Sequence, residues 1–131
     1  MTNKKIGNDF EATFCEKLFE NGFWVHNMAQ NASGQPADVI AVRNGRASLI
    51  DCKVCSNGSF PLSRIEENQH LSMSLWLESG NTGAWFAFKI EEEIFLIAYP
   101  VLKELGKRQS SLSEEDIRGC GLPIERWVKN K

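Results

Sequence analysis

Residues 36–54, PADVIAVRNGRASLIDCKV, constrain the fold more than any other part of the chain. Two apolar, largely β-branched runs flank Asn44-Gly45, a dipeptide that accepts the positive φ angles of a two-residue type I′ turn. The pattern predicts a hairpin, and so short a loop fixes its register. Arg43 falls opposite Arg46, Val42 opposite Ala47, Ala41 opposite Ser48, Ile40 opposite Leu49, Val39 opposite Ile50 and Asp38 opposite Asp51.

Directly opposed residues of an antiparallel pair share a face, with Cβ atoms roughly 5 Å apart, and like charges there repel. Lys53 lies two residues past Asp51, so the period of two puts its ammonium on the same face. Two carboxylates at that separation suit a hard divalent cation such as Mg²⁺, which takes oxygen ligands, keeps several waters and usually borrows one or two carboxylates. The lysine is then available to a phosphate oxygen or a water. A salt-bridged ladder on an exposed hairpin would use the same three residues without any metal.

With 131 residues, 42% of them hydrophobic, and four tryptophans, the chain can bury a core as one domain spanning 1–131. No apolar run approaches the ~20 residues of a membrane span, and MTNKKIGNDF lacks the apolar stretch of a signal peptide. A cytoplasmic protein without a membrane partner is expected. Cys15 and Cys120 are isolated, and Cys52-x-x-Cys55 stands without a second pair or a nearby histidine, which argues against zinc. Strand parity turns the Cys52 side chain away from Asp51 and into packing.

The net charge of −2 argues against a generic nucleic-acid coating protein. The acidity is uneven, however. Residues 1–64 carry seven Lys/Arg against six Asp/Glu, and residues 65–131 eight against eleven. Acids gathered around a divalent ion would also be masked by it.

Residues 3–21 read as a helix stopped by Asn21-Gly22, with Phe10, Phe14, Cys15, Leu18 and Phe19 on one apolar face. Glu11 falls in the middle of that face, whereas Glu16 and Glu20 point away. A carboxylate there needs a partner, a proton or a metal; it is either an ion ligand or a helix-edge acid that reaches water or an arginine. Phe23–Met28 reads as a strand, followed by the polar loop 29–35, whose amides could meet a polyanion.

Ser63-Arg64-Ile65-Glu66 has capping-box spacing, so a second helix is expected from Arg64 to about Leu77. Gln69 shares a face there with Ile65, Ser72, Met73 and Trp76, either as a buried amide satisfied by backbone or as a side chain presented to the acids. GAWFAFKI (83–90) and EIFLIAYP (93–100) read as strands in the middle of a covered sheet. Pro100 opens a short helix through Leu105, Ser113 caps another, and Leu122, Ile124 and Trp127 dock the tail on the core.

Four pieces of the chain, Gly7-x-x-Phe10-Glu11, Pro36-x-Asp38, Asp51-x-Lys53 and Phe60-Pro61-Leu62-x-x-Ile65-x-x-x-Gln69, together resemble the PD-(D/E)XK nuclease superfamily. More narrowly, they resemble its RecU-type Holliday junction resolvases, also called penicillin-binding-protein-related factor A. The likeness is closest over residues 5–100. Ala37 separates Pro36 from Asp38 where the superfamily motif has them adjacent, and Asp51 stands where most RecU-type relatives carry Glu. The segment between Glu11 and Asp38 is also too short for the RecU stalk, which suggests a compact, phage-encoded version.

The resemblance implies an α/β, restriction-endonuclease-like core: a central mixed β-sheet flanked by helices. It implies Mg²⁺-dependent phosphodiester hydrolysis, with Mn²⁺ able to substitute. Asp38, Asp51 and the backbone carbonyl of Cys52 would hold the ion, Glu11 would bind it or its waters, Lys53 would orient the nucleophile or stabilise the transition state, and Gln69 would position Lys53 or the phosphate. A branched four-way junction has two-fold symmetry, so a homodimer is expected. Lys4, Lys5 and Arg64 are the basic residues nearest the site in sequence and are the expected DNA contacts. Two alternatives stay open: another nuclease of the superfamily, of restriction or nicking type and acting on duplex DNA, or a non-catalytic DNA-binding recombination accessory protein.

Overall fold

The structure, a computed structural model, describes residues 2–28 and 37–130. The polar loop 29–35 and Pro36, expected to contact a polyanion and to open the Pro36-x-Asp38 motif, lie outside these residues.

Helix α1 (Asn3–Glu20) begins at Thr2, whose hydroxyl accepts the Lys5 N–H at 3.1 Å, and ends at Asn21-Gly22, where Gly22 takes a φ of +85°. Its buried face is Phe10, Glu11, Phe14 and Leu18. Cys15 is only half-buried and Phe19, expected on that face, is exposed, while Leu18 beside it takes the buried position in the last turn.

Strands β1 (Trp24–Asn27), β2 (Val39–Arg43) and β3 (Arg46–Val54) form an antiparallel meander. Asn44 (φ 56°) and Gly45 (φ 74°) both take the left-handed conformation that the turn requires. The five pairs from Arg43↔Arg46 to Val39↔Ile50 occur in the predicted register. Asp38 leaves that line just ahead of β2: its N–H donates to the carbonyl of Ile50, the residue already opposite Val39, at 3.2 Å, so the expected Asp38–Asp51 pair is not a rung of the ladder.

The chain then leaves the sheet through β4 (Ser59–Pro61), a 3₁₀ turn (Leu62–Arg64) and α2 (Glu67–Glu78). It returns as β5 (Gly83–Ile90), parallel to β3, the kind of pairing that demands a crossover. β6 (Glu93–Ala98) runs antiparallel to β5, followed by α3 (Tyr99–Gly106), β7 (Ser111–Ser113), α4 (Glu114–Cys120), β8 (Leu122–Pro123) and α5 (Ile124–Lys129). The large sheet has the order β1-β2-β3-β5-β6-β8, and β4 pairs with β7 in a separate ribbon. β5 is central as expected. β6 is bordered on its outer side by the two residues of β8, and it ends at Ala98, where Tyr99 and Pro100 start α3.

The second helix starts later than Ser63 predicts. The Leu62 N–H donates to Ser110 and β4 is held by β7, so residues 62–64 close as a 3₁₀ turn, Ile65 is extended, and α2 begins after Glu66. Ser113 caps α4 as expected, accepting the Asp116 N–H at 3.1 Å.

Strand parity sorts the core into two layers. Val39, Ala41, Ile50, Trp85, Ala87 and Leu96 pack against Phe10, Phe14 and Leu18 of α1 and Ile124 and Trp127 of α5. Leu49, Phe86, Phe88 and Ile97 pack on the other side with Met73 of α2, Leu102 and Leu105 of α3, and Ile117 of α4. The result is a central mixed sheet covered by helices on both faces.

Candidate active site

Asp51 alternates along β3 with Ile50 and Cys52, so it points to the α2 side, where its cross-strand partner Phe86 also packs. It is 1% exposed. Oδ1 accepts the Gln69 side-chain amide at 3.3 Å. Oδ2 lies 3.1 Å from Lys53 Nζ in an ion pair whose geometry falls short of a hydrogen bond, leaving that buried oxygen without a donor. Lys53 Nζ donates instead to Gln69 Oε1 at 3.2 Å.

Gln69 Oε1 also accepts the backbone N–H of Glu66 at 3.1 Å. One amide therefore closes the N-terminus of α2 and joins Lys53 to Asp51. Both readings of Gln69 hold at once, and the signal was in the sequence: Glu66-x-x-Gln69 has cap spacing as much as Ser63-x-x-Glu66 does.

Asp38 reaches the same place from the start of β2, its carboxylate accepting the Cys52 N–H at 2.8 Å. Burial first, and the Asp38 charge second, push the Asp51 carboxyl up to about 8 against the pull of Lys53. The two acids meet as expected and Lys53 shares the Asp51 face, but Asp38 arrives through the Cys52 N–H rather than as the cross-strand partner of Asp51.

Glu11 is placed differently. It is buried on α1, which covers the opposite face of the sheet, the face to which the Cys52 side chain turns. Glu11 and Asp38 both act on the thiols of Cys15 and Cys52, which burial chiefly holds in the protonated form, that of Cys15 at about 11. Glu11 thus flanks the acid pair across β3. Among the described residues no group of three or more His, Cys, Asp or Glu side chains is gathered as a ready-made metal centre. The oxygens that converge are those of Asp38 and Asp51, and the unsupplied Asp51 Oδ2 is the acceptor a hard cation would take.

Of the expected DNA contacts, Arg64 lies beside Lys53, lining a cleft with it. Lys5 is paired with Asp9 at 3.2 Å on the exposed side of α1, and Lys4 is exposed there as well. Neither lysine lines that cleft.

A mixed sheet whose hairpin sets one Asp beside an Asp-x-Lys, served by a Gln on the crossover helix, is the restriction-endonuclease-like arrangement of the PD-(D/E)XK nucleases. The model of the archaeal Holliday junction resolvases (Hjc) matches residues 2–131, so the chain belongs to that family, whose members are nucleases. The match narrows the resemblance to Hjc rather than to the RecU-type enzymes. A solved structure, that of Archaeoglobus fulgidus Hjc, a Holliday junction resolvase from an archaeal hyperthermophile, shares the fold with a TM-score of 0.72. Its identity is 19%, over 93% of this chain and 99% of that one. No curated protein matches the chain.

Proposed function

We propose that this chain is a Mg²⁺-dependent endonuclease that resolves four-way DNA junctions by phosphodiester hydrolysis, acting as a homodimer in the cytoplasm. The observation that carries the metal is the buried acid pair: Asp38 and Asp51 side by side, with Asp51 Oδ2 met by the Lys53 ion pair alone. These two carboxylates, with the Cys52 carbonyl, are the residues that would hold the ion, and Glu11 would bind its waters from across β3. When bound, Mg²⁺ or Mn²⁺ supplies a lowered pKa for a water and neutralises charge growing on the phosphate.

The chain's own groups do the rest. Lys53 Nζ, fixed by Gln69 Oε1 and Asp51, offers its remaining N–H donors to a phosphate oxygen or to the attacking water. Gln69 acts through Lys53 and Asp51 and is a positioning residue. A finer affiliation to compact RecU-type enzymes of phage origin rests on Gly7-x-x-Phe10-Glu11, Pro36-x-Asp38, Asp51-x-Lys53 and the Phe60-to-Gln69 motif, with the short segment between Glu11 and Asp38, and the chemistry is the same with or without it.

Paired cuts in a two-fold symmetric junction need two active sites related by a two-fold axis. The outer face of α2 supports such a pairing. Between Glu67 and Glu78 it carries no charge, and Leu71 and Leu75 are each 63% exposed beside a groove lined by Met28, Ile40 and Trp76. Knob and groove on one surface can pair with a second copy of themselves.

The test is a panel of labelled four-way junctions, flaps and plain duplexes incubated with and without Mg²⁺. Junctions should be cut in preference to duplex, only with the ion, and Asp51→Asn and Lys53→Ala should each lower the rate at least about 10³-fold. Full activity in either variant would end the proposal.

A further inference from the structure

Next to the acid pair, a cleft of about 310 Å³ opens between the first turns of α1, the end of β3 and the 3₁₀ turn. Asn3, Gly7, Lys53, Ser56 and Arg64 line it, together with apolar side chains, and among the described residues no carboxylate does. Arg64 faces it without an acid and Lys53 reaches it from its ion pair with Asp51, in contrast to the larger cleft between α1 and α5, where Lys17 and Lys129 face Glu20 and Glu125.

Arg64 is held in place there. Its Nη1 donates to the Val54 carbonyl at 3.2 Å, and its guanidinium lies 4.9 Å from the centroid of the Phe60 ring. Phe60 is itself fully buried, edge-on to Phe88 at 5.0 Å. The side-chain entropy of ordering Arg64 is therefore already lost before a ligand arrives, and one of five N–H donors is used. On the opposite wall, Gly7 sits inside α1, where glycine costs roughly 0.5–1 kcal/mol relative to alanine. Yet a Cβ at Gly7 would meet no protein atom within 4 Å. Among the described residues nothing requires that glycine, so the space beside it is open on that side of the cleft.

We propose that this cleft seats a second backbone phosphate of the bound DNA strand, next to the one being cut, with Arg64 as its fixed donor and Gly7 as its open wall. The proposal rests on the nuclease reading, because Lys53 is the wall shared by the cleft and the acid pair. Arg64 would thus set which phosphodiester of the strand comes to rest over Asp38 and Asp51.

The experiment is equilibrium binding of a fluorescent four-way junction between about 50 and 200 mM salt, alongside thermal melting. Arg64→Ala should bind about tenfold more weakly and flatten the logarithmic salt dependence by about 0.9, the loss of one phosphate contact. Gly7→Glu should weaken binding in the same direction while leaving the melting temperature equal or higher, since glutamate near a helix N-terminus replaces glycine. A junction carrying one neutral methylphosphonate beside the cut should lose about as much affinity for the wild type and nothing further for Arg64→Ala. An unchanged salt slope in Arg64→Ala, or a methylphosphonate penalty that persists in that variant at every position, would overturn the proposal. Binding is read rather than cleavage. A wild type that cuts no DNA would end the nuclease reading, while the Arg64 and Gly7 results would still decide this one.

Discussion

α1 and α2 lie on opposite faces of one sheet, and each buries a single polar side chain near the hairpin: Glu11 at 8% exposure and Gln69 at 8%. Equal burial conceals unequal wiring. Gln69 is an amide, able to donate to Asp51 and to accept from Lys53 and Glu66 at once, so it is satisfied by the protein alone. Glu11 is a carboxylate among thiols, on the far side of β3 and near a second carboxylate. The α2 side of the site is wired by an amide; the α1 side brings a carboxylate close to the thiols of Cys15 and Cys52.

Removing the α2 member should have the larger effect. Gln69→Leu leaves a buried acid oxygen and a helix-end N–H without a partner and Lys53 with its ion pair to Asp51 alone, so it should destabilise the protein by about 2 kcal/mol in denaturant titrations. It should also slow junction cleavage about 10- to 100-fold, as loss of an orienting neighbour does. An unaltered rate would mean that Lys53 is positioned without it.

Glu11→Gln should act with opposite signs in the two states. Without divalent ions the variant should be more stable by about 0.5–1 kcal/mol, because one of several clustered negative charges is gone. Its affinity for Mn²⁺, measured by calorimetry, should fall about tenfold. An unchanged affinity would remove Glu11 from the ion's surroundings and make the asymmetry purely structural.

Asp51 sits between the two helices and reports on both through pH. Its folded pKa of about 8 lies above the ordinary carboxyl value of 3.8, so its contribution to metal-free stability is complete below pH 3.8 and is lost as pH rises to about 8. The melting temperature of the wild type relative to Asp51→Asn should therefore fall over that window, and saturating Mg²⁺ should cancel or reverse the trend. A flat difference would contradict the burial-driven shift.

The smallest effect on stability is expected on the outer surface of α2. Leu75→Glu should change stability by no more than about 0.5 kcal/mol yet convert the protein to a monomer by light scattering, whereas a charge placed at the equally exposed Phe19 of α1 should not. A wild type that is monomeric at micromolar concentration and still makes paired cuts would refute the dimer.

The same contrast explains what could be read from the sequence. Asn44-Gly45 is a local signal, and it carried the hairpin and its register as far as Val39–Ile50, because each depends only on neighbours along the chain; Asp38, one residue further, slips to the Ile50 carbonyl. The start of α2 depends on distant ones. Leu62 bonds to Ser110 and β4 pairs with β7, which pulls residues 62–65 out of helix and hands the cap to Glu66 and Gln69. Periodicity put Glu11 on a buried face but could not say which side of β3 that face would meet. Strand parity, applied to Cys52, was correct and led to the thiols that neighbour it.

Gln69 Oε1 is a shared acceptor: the first turn of α2 and the ammonium of Lys53 each take one of its lone pairs. Fraying of the helix lets the amide swing and loosens the lysine with it, and a substrate that draws Lys53 forward leaves the helix N–H as the remaining donor to that oxygen. The integrity of a backbone segment and the aim of a reacting group are therefore linked through one atom, and hydrogen exchange at the Glu66 amide becomes a direct gauge of whether the nuclease is poised.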